Sequence, residues 1–148
     1  MNKISIALGA DHAGFDYKEK IKNYLLTKGI EVKDFGCYSH ERADYPDYVH
    51  PLAKAIDSKE YSFGILVCGS GNGVNITANK YQKVRSALCW NVEIAKLARE
   101  HNDANIIAVP ARFVSEETAM DMIEIFITTS FEGGRHADRV NKIPVPNN

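Results

Sequence analysis

Cysteine is scarce in this chain, and neither sign of charge is in excess. Three cysteines, Cys37, Cys68 and Cys89, are spread over 148 residues. An odd, widely spaced set supports neither a disulfide framework nor a zinc motif. The formal net charge is −1, which excludes the general electrostatic pull that brings basic proteins to nucleic acid or acidic membranes. No apolar stretch approaches the roughly 20 residues that span a bilayer. The opening "MNKISIALGADH" lacks the apolar core and cleavage site of a signal peptide. A cytoplasmic protein is therefore expected, with no nucleic-acid or membrane partner. The histidines His12, His40, His50, His101 and His136 form no HExxH and no i,i+4 pair, so no metal is expected. Repeats, low-complexity tracts and linkers are also missing, and the length suits one domain, 1–148, with a core of its own.

What is present alternates between two periods. "KISIAL" at 3–8, "EVKDF" at 31–35, "FGILV" at 63–67, "SALC" at 86–89 and "NIIAV" at 105–109 read as strands. The continuous apolar run at 63–67 suits a strand buried on both faces of a parallel sheet. Between the strands the helical period recurs. It runs from Phe15 to Lys28 with Gly29 as its stop, after Pro46 with Val49, Leu52, Ala53 and Ile56 inward, and near 74–80. It recurs from Val92 to His101 with Ile94, Leu97 and Ala98 inward, and after Ser115 with Ala119, Met122, Ile123 and Phe126 inward. A last helix is expected to start near Arg135. This alternation predicts a three-layer α/β/α, Rossmann-like fold with a parallel sheet of about five strands. Ligands of such sheets lie beyond the carboxyl ends of the strands. Three polar loops fall there: "GADHAG", "CGSGNG" and "PAR".

The loop "CGSGNG" after the third strand offers backbone N–H groups and a helix start to negative charge. It is not a Walker loop, because Gly73 is followed by Val74 and Asn75 rather than Lys and Ser or Thr. Its glycines, Gly69, Gly71 and Gly73, make G-x-G-x-G rather than the dinucleotide G-x-G-x-x-G. A cysteine phosphatase needs arginine six residues past its nucleophile, where this chain has Val74. What remains is Cys68 as a base or nucleophile. A helix N-terminus lowers a thiol's pKa from about 8.5. A thiolate can then take a proton beside a carbonyl while nearby amides hold the oxyanion. A glycine turn with a merely packed cysteine stays open on the loop alone. Cys89 reads as a buried apolar residue, and Cys37 is ambiguous.

Other polar clusters have bland readings beside functional ones. Asp11 and His12 fit a turn. His101, Asn102 and Asp103 in "REHNDAN" fit a helix C-terminus. Arg135 and Arg139 share one helical face, which suits a solvated surface or a phosphate that arginine grips with two donors.

Taken together, "GADHAGF" (9–15), "DYPDY" (44–48), "CGSGNGVNITANK" (68–80), "REHNDAN" (99–105), "ARFV" (111–114) and "FEGGRHADRV" (131–140) resemble the ribose-5-phosphate isomerase B family, within the ribose/galactose isomerase group. The resemblance covers essentially the whole chain. It implies reversible interconversion of ribose 5-phosphate and ribulose 5-phosphate without metal or organic cofactor. By matching position, Cys68 would remove the C2 proton, and residues 69–73, with Gly69, Gly71, Asn72 and Gly73, would supply amides to the enediolate. Ser70 would relay a proton between O1 and O2. His101 would open the furanose ring, Asp11 would bind near the ring oxygens, and Asn102 would contact hydroxyls. The phosphate would fall to His12, Arg135 and Arg139, with Arg112 also at a ligand position. The family builds each site from two subunits, which implies a homodimer or a dimer of dimers. The rivals are a galactose- or allose-6-phosphate isomerase, a non-catalytic phosphosugar-binding protein and a cysteine hydrolase.

Overall fold

The computed structural model describes residues 3–147. Strands β1 (Ser5–Ala10), β2 (Glu31–Asp34), β3 (Phe63–Cys68), β4 (Ser86–Leu88) and β5 (Ile106–Pro110) alternate with helices α1 (Phe15–Thr27), α2 (Tyr45–Asp57), α3 (Asn72–Ala78), α4 (Val92–Asn102) and α5 (Glu116–Thr128). Helix α6 (Arg135–Val140) follows. All strand pairs are parallel, in the order β2-β1-β3-β5-β4. The Rossmann-like α/β/α expectation therefore holds.

Side chains along a strand point alternately to the two faces, and here both faces are covered. Ile6, Leu8, Ile65, Val67, Ile107 and Val109 pack with Ile21 and Leu25 of α1, Ala95 and Ala98 of α4, and Met122, Ile123 and Phe126 of α5. Ala7, Leu66, Ile106 and Ala108 pack on the other face with Val49, Leu52, Ala53 and Ile56 of α2 and Val74 and Ala78 of α3. Each fully buried Leu, Ile or Phe contributes about 1.5–3 kcal/mol. That double burial is why β3 reads as an unbroken apolar run.

Two expectations need correction. Strand β1 ends at Ala10 rather than residue 8, because Gly9 and Ala10 keep pairing with Leu66 and Val67 of β3. On α4 the buried positions are Ala95, Ala98 and Arg99, whereas Ile94 packs against the core half-buried and Leu97 is half-buried. The small alanines let α4 lie close to α5. The long Arg99 reaches inward because its guanidinium finds the carbonyls of Thr129 and Ala104 and the Asp103 carboxylate. Burial of an arginine needs such partners.

The strand order creates the crevice. From β1 the chain leaves through α1 on one face, and from the adjacent β3 it leaves through α3 on the other. Loops that diverge in this way open a cleft at the carboxyl edge.

Candidate active site

Backbone hydrogen bonds interlock the three carboxyl-edge loops. Asp11 N–H donates to Val67 O (3.3 Å), Ala111 N–H to Cys68 O (2.9 Å) and Arg112 N–H to Gly69 O (3.0 Å). Gly14 belongs to a short 3-10 turn, His12–Gly14, that presses against β3. A Cβ at Gly14 would lie 2.3 Å from Val67 O, so only glycine fits.

Cys68 ends β3 and lines the cleft. Its Sγ accepts a hydrogen bond from Gly71 N–H at 3.1 Å. That geometry depends on Gly71 being left-handed, with φ of 77°, where L side chains are strained. A side chain there would also meet Leu88 Cδ1 at 2.5 Å. The Asn72 N–H donates to Ser70 Oγ at 3.2 Å, so two of the amides assigned to an enediolate already have partners in this state. All three thiols are buried. Burial pushes Cys89 up to about 12, and burial likewise raises Cys37.

Asp11 caps the 3-10 turn through Oδ1, which accepts from Ala13 N–H (2.9 Å) and Gly14 N–H (3.1 Å). Those two bonds do not use Oδ2. His12 Nδ1 lies 3.1 Å from Ala43 N and 3.3 Å from Ala43 O. With the shorter contact, Nδ1 accepts from the amide and Nε2 carries the ring proton, ready to donate to an anion.

These residues line a concavity of about 590 Å³ with Ala13, Tyr45, Ser70, Gly73, Arg112 and Phe113. A second concavity of about 500 Å³, lined by Arg42 and residues 43–47, shares Asp11, His12 and Tyr45 with it. The Arg112 side chain lies over Gly69, whose Cβ would be 3.2 Å from its Cδ, Nε and Cζ. No carboxylate pairs with Arg112 among the described residues. An unpaired guanidinium, an imidazole donor and a thiol in one cleft suit an anionic substrate that carries an acidic C–H.

The remaining candidates lie elsewhere. Helix α4 starts after the carboxyl end of β4 and runs back for 11 residues, about 16 Å. This places His101 and Asn102 at the amino edge of the sheet. Asn102 lines a cavity of about 320 Å³ there, with Asn79, Arg85, Ser86, Ala87, Ala104 and Ile143. The His101 ring stacks on His136 of α6, so Arg135 and Arg139 belong to the same edge. Both arginines are exposed, and neither has an ion-pair partner among the described residues. One chain thus brings together Asp11, His12, Cys68, Gly69, Ser70, Gly71, Asn72, Gly73 and Arg112, but not His101, Asn102, Arg135 or Arg139.

The family model for Ribose/Galactose Isomerase matches residues 6–143. The chain belongs to the ribose/galactose isomerase family. Ribose-5-phosphate isomerase B of Escherichia coli (strain K12) is 42% identical over 138 residues, covering 93% of each chain. A solved ribose 5-phosphate isomerase from Thermotoga maritima is similar at 50% identity and a TM-score of 0.94, covering 97% of this chain and 99% of that one. Ribose-5-phosphate isomerase B from Mycoplasma genitalium, solved with bound ribulose-5-phosphate, has 36% identity and a TM-score of 0.92, covering 97% of this chain and 95% of that one.

Within this ribose/galactose isomerase framework, the sequence reading left three cleft residues without a role. Tyr45 belongs to "DYPDY", and its ring abuts Gly73, where a Cβ would lie 2.5 Å from Tyr45 Cζ. Phe113 is 75% exposed at the rim, and Arg42 lines the adjoining hollow. The signal for Phe113 is its place in "ARFV", directly after Arg112, whereas Arg42 has none. Among the described residues no helix is long and apolar enough to cross a membrane.

Proposed function

We propose that this protein interconverts ribose 5-phosphate and ribulose 5-phosphate by proton transfer through an enediolate, with Cys68 as the base. The carrying observation is the Cys68 Sγ at the floor of the cleft, 3.1 Å from the Gly71 amide nitrogen. In the open-chain aldose the Cys68 thiolate takes the C2 proton. The C–H electrons form the C1–C2 double bond, and the negative charge moves to O1. Donors of residues 69–73 hold the two oxygens, and Ser70 passes the O2 proton to O1. Cys68–H then returns its proton to C1, leaving the carbonyl at C2. Positioned general bases typically give 10²–10⁴-fold, and one oxyanion donor about 10²–10³-fold. Phosphate held by His12 and arginines supplies binding energy that orients the reacting carbons.

Ring opening and full phosphate binding need His101, Asn102, Arg135 and Arg139 beside Cys68. A second copy of the chain supplies them, so the working unit is a homodimer or a dimer of dimers with shared sites. The same reading makes the chain a single catalytic domain of the cytoplasm. The test is a turnover panel of four-, five- and six-carbon aldose phosphates with chelator present. Ribose 5-phosphate is expected to give the highest kcat/KM. Faster conversion of galactose or allose 6-phosphate would reassign the substrate, and tight binding without turnover would make the protein a phosphosugar sensor.

A further inference from the structure

The fold gathers His101, Glu132 and His136 from segments far apart in sequence. The two imidazole rings stack with centroids 4.2 Å apart and planes 13° from parallel. Glu132 Oε2 lies 3.4 Å from His136 Nε2. One ligand atom from each of the three residues falls within 4.8 Å of the other two. The Glu132 N–H donates to the Glu100 carbonyl at 3.0 Å, which ties the segment carrying Glu132 to the end of α4 that carries His101.

The donor types select the ion. Two imidazoles and a carboxylate suit zinc and its neighbours. Magnesium and calcium prefer oxygen ligands alone. Stacked rings aim their in-plane lone pairs side by side, so metal–nitrogen bonds of about 2.0–2.1 Å require one imidazole to turn out of the stack, for which the exposed Glu132 and the half-buried rings leave room. Arg135 adjoins His136 and works against a cation, which keeps the affinity below that of a structural zinc centre.

We propose that His101, Glu132 and His136 form a binding site for a divalent transition-metal ion of the zinc class, and that the bound ion is a reversible inhibitor because it occupies the imidazole of His101. A nitrogen lone pair given to a metal cannot carry a proton. The binding stands on the cluster alone, whereas the inhibition rests on the ring-opening role proposed for His101.

The test uses Co²⁺ as a spectroscopic probe on full-length protein carrying Cys68→Ser, which removes thiolate ligation. One Co²⁺ per chain, with visible d–d bands that Zn²⁺ abolishes, is expected. Glu132→Gln changes an exposed side chain and keeps the fold. It and His136→Ala are each expected to weaken binding by about tenfold or more. No Co²⁺ spectrum, or one that both variants leave unchanged, overturns the site. Separately, chelator-stripped protein with native Cys68 is assayed on ribose 5-phosphate with and without Zn²⁺. Inhibition that Glu132→Gln relieves supports the coupling, and equal inhibition in both proteins overturns it. If the stripped enzyme turns over no sugar phosphate, the isomerase reading and the inhibition fail together, while the Co²⁺ spectrum still decides the binding.

Discussion

At the carboxyl edge of the sheet, Cys68, Asp11 and Arg112 stand on loops tied to one another by main-chain hydrogen bonds. At the amino edge, His101, Arg135 and Arg139 project from the end of one helix and from a six-residue helix. The first region is held in shape by its own chain. Beneath it lies a buried ion pair. Lys18 Nζ is fully buried and sits 2.7 Å from Asp34 Oδ2. Asp34 Oδ1 accepts from Gly36 N–H, and Gly36 O accepts from Ala10 N–H beside Asp11. The second region offers unpaired arginines and a histidine without a thiol or glycine loop to work with. In the proposed mechanism the proton-abstracting floor needs atoms fixed to within about half an ångström, which interlocked backbone supplies, whereas the proposed phosphate and ring-opening groups come from another copy.

The comparison breaks most severely at Cys68. Cys68→Ala is expected to lose at least 10²–10⁴-fold in turnover while keeping its fold and its affinity for the sugar phosphate, read by circular dichroism and calorimetry. Turnover near the wild-type rate would remove the base assignment. The same variant should stop solvent deuterium from entering C1 of ribulose 5-phosphate. His101→Asn should keep that exchange, because ribulose 5-phosphate has no furanose ring to open.

Mixing the two variants sharpens the division between the edges. If Cys68 and His101 of one site come from different chains, refolding Cys68→Ala with His101→Asn restores about a quarter of the wild-type sites. Random pairing makes half the dimers mixed, and each mixed dimer has one intact site. A mixture no more active than its parents would place both residues in one chain.

The smallest effect lies beneath the carboxyl edge. Burial alone would pull the Lys18 pKa down, but hydrogen bonds to Asp34 and Glu19 outweigh it and raise the pKa above 10.5. Burial likewise works against the Asp34 carboxylate, yet bonds from Lys18, Gly36 N–H and Lys22 bring its pKa below 3.8. Lys18→Met is expected to cost about 2 kcal/mol in urea unfolding. That is less than the usual loss for a broken buried pair, because Lys22 and Gly36 still hold Asp34. The gap from the wild type should be full between the two ordinary values. It should shrink as pH falls through the depressed value of Asp34, or rises through the raised value of Lys18. A gap independent of pH would mean that the loss is one of packing alone.

Much of this molecule was legible in its sequence. The unbroken apolar run at 63–67 announced β3, because both faces of a parallel sheet are covered, and short strand-like stretches announced β1 and β5. The stripe from Ala119 to Phe126 announced α5, which Ser115 does cap through Thr118 N–H. The glycine spacing separated this loop from dinucleotide loops, and Val74 and Asn75, where lysine, serine or arginine would be needed, separated it from Walker and phosphatase loops. Other features were not legible. Arg99 was absent from the inward positions read for α4, because its partners, Thr129 and Ala104, lie beyond the helix. Histidine spacing argued against a metal cluster, yet stacking of α6 on α4 brings His101 to His136. Tyr45 had a motif but no neighbour until α2 packed against Gly73.

The sequence by itself determined the layered α/β class, the family and the thiol at the end of a buried strand, since these follow from local period, residue chemistry and motif spacing. Only the tertiary structure decided the strand order and which candidate residues share an edge. Those depend on where each crossover returns to the sheet, and a helix of 11 residues carries its last side chains to the far edge from its first.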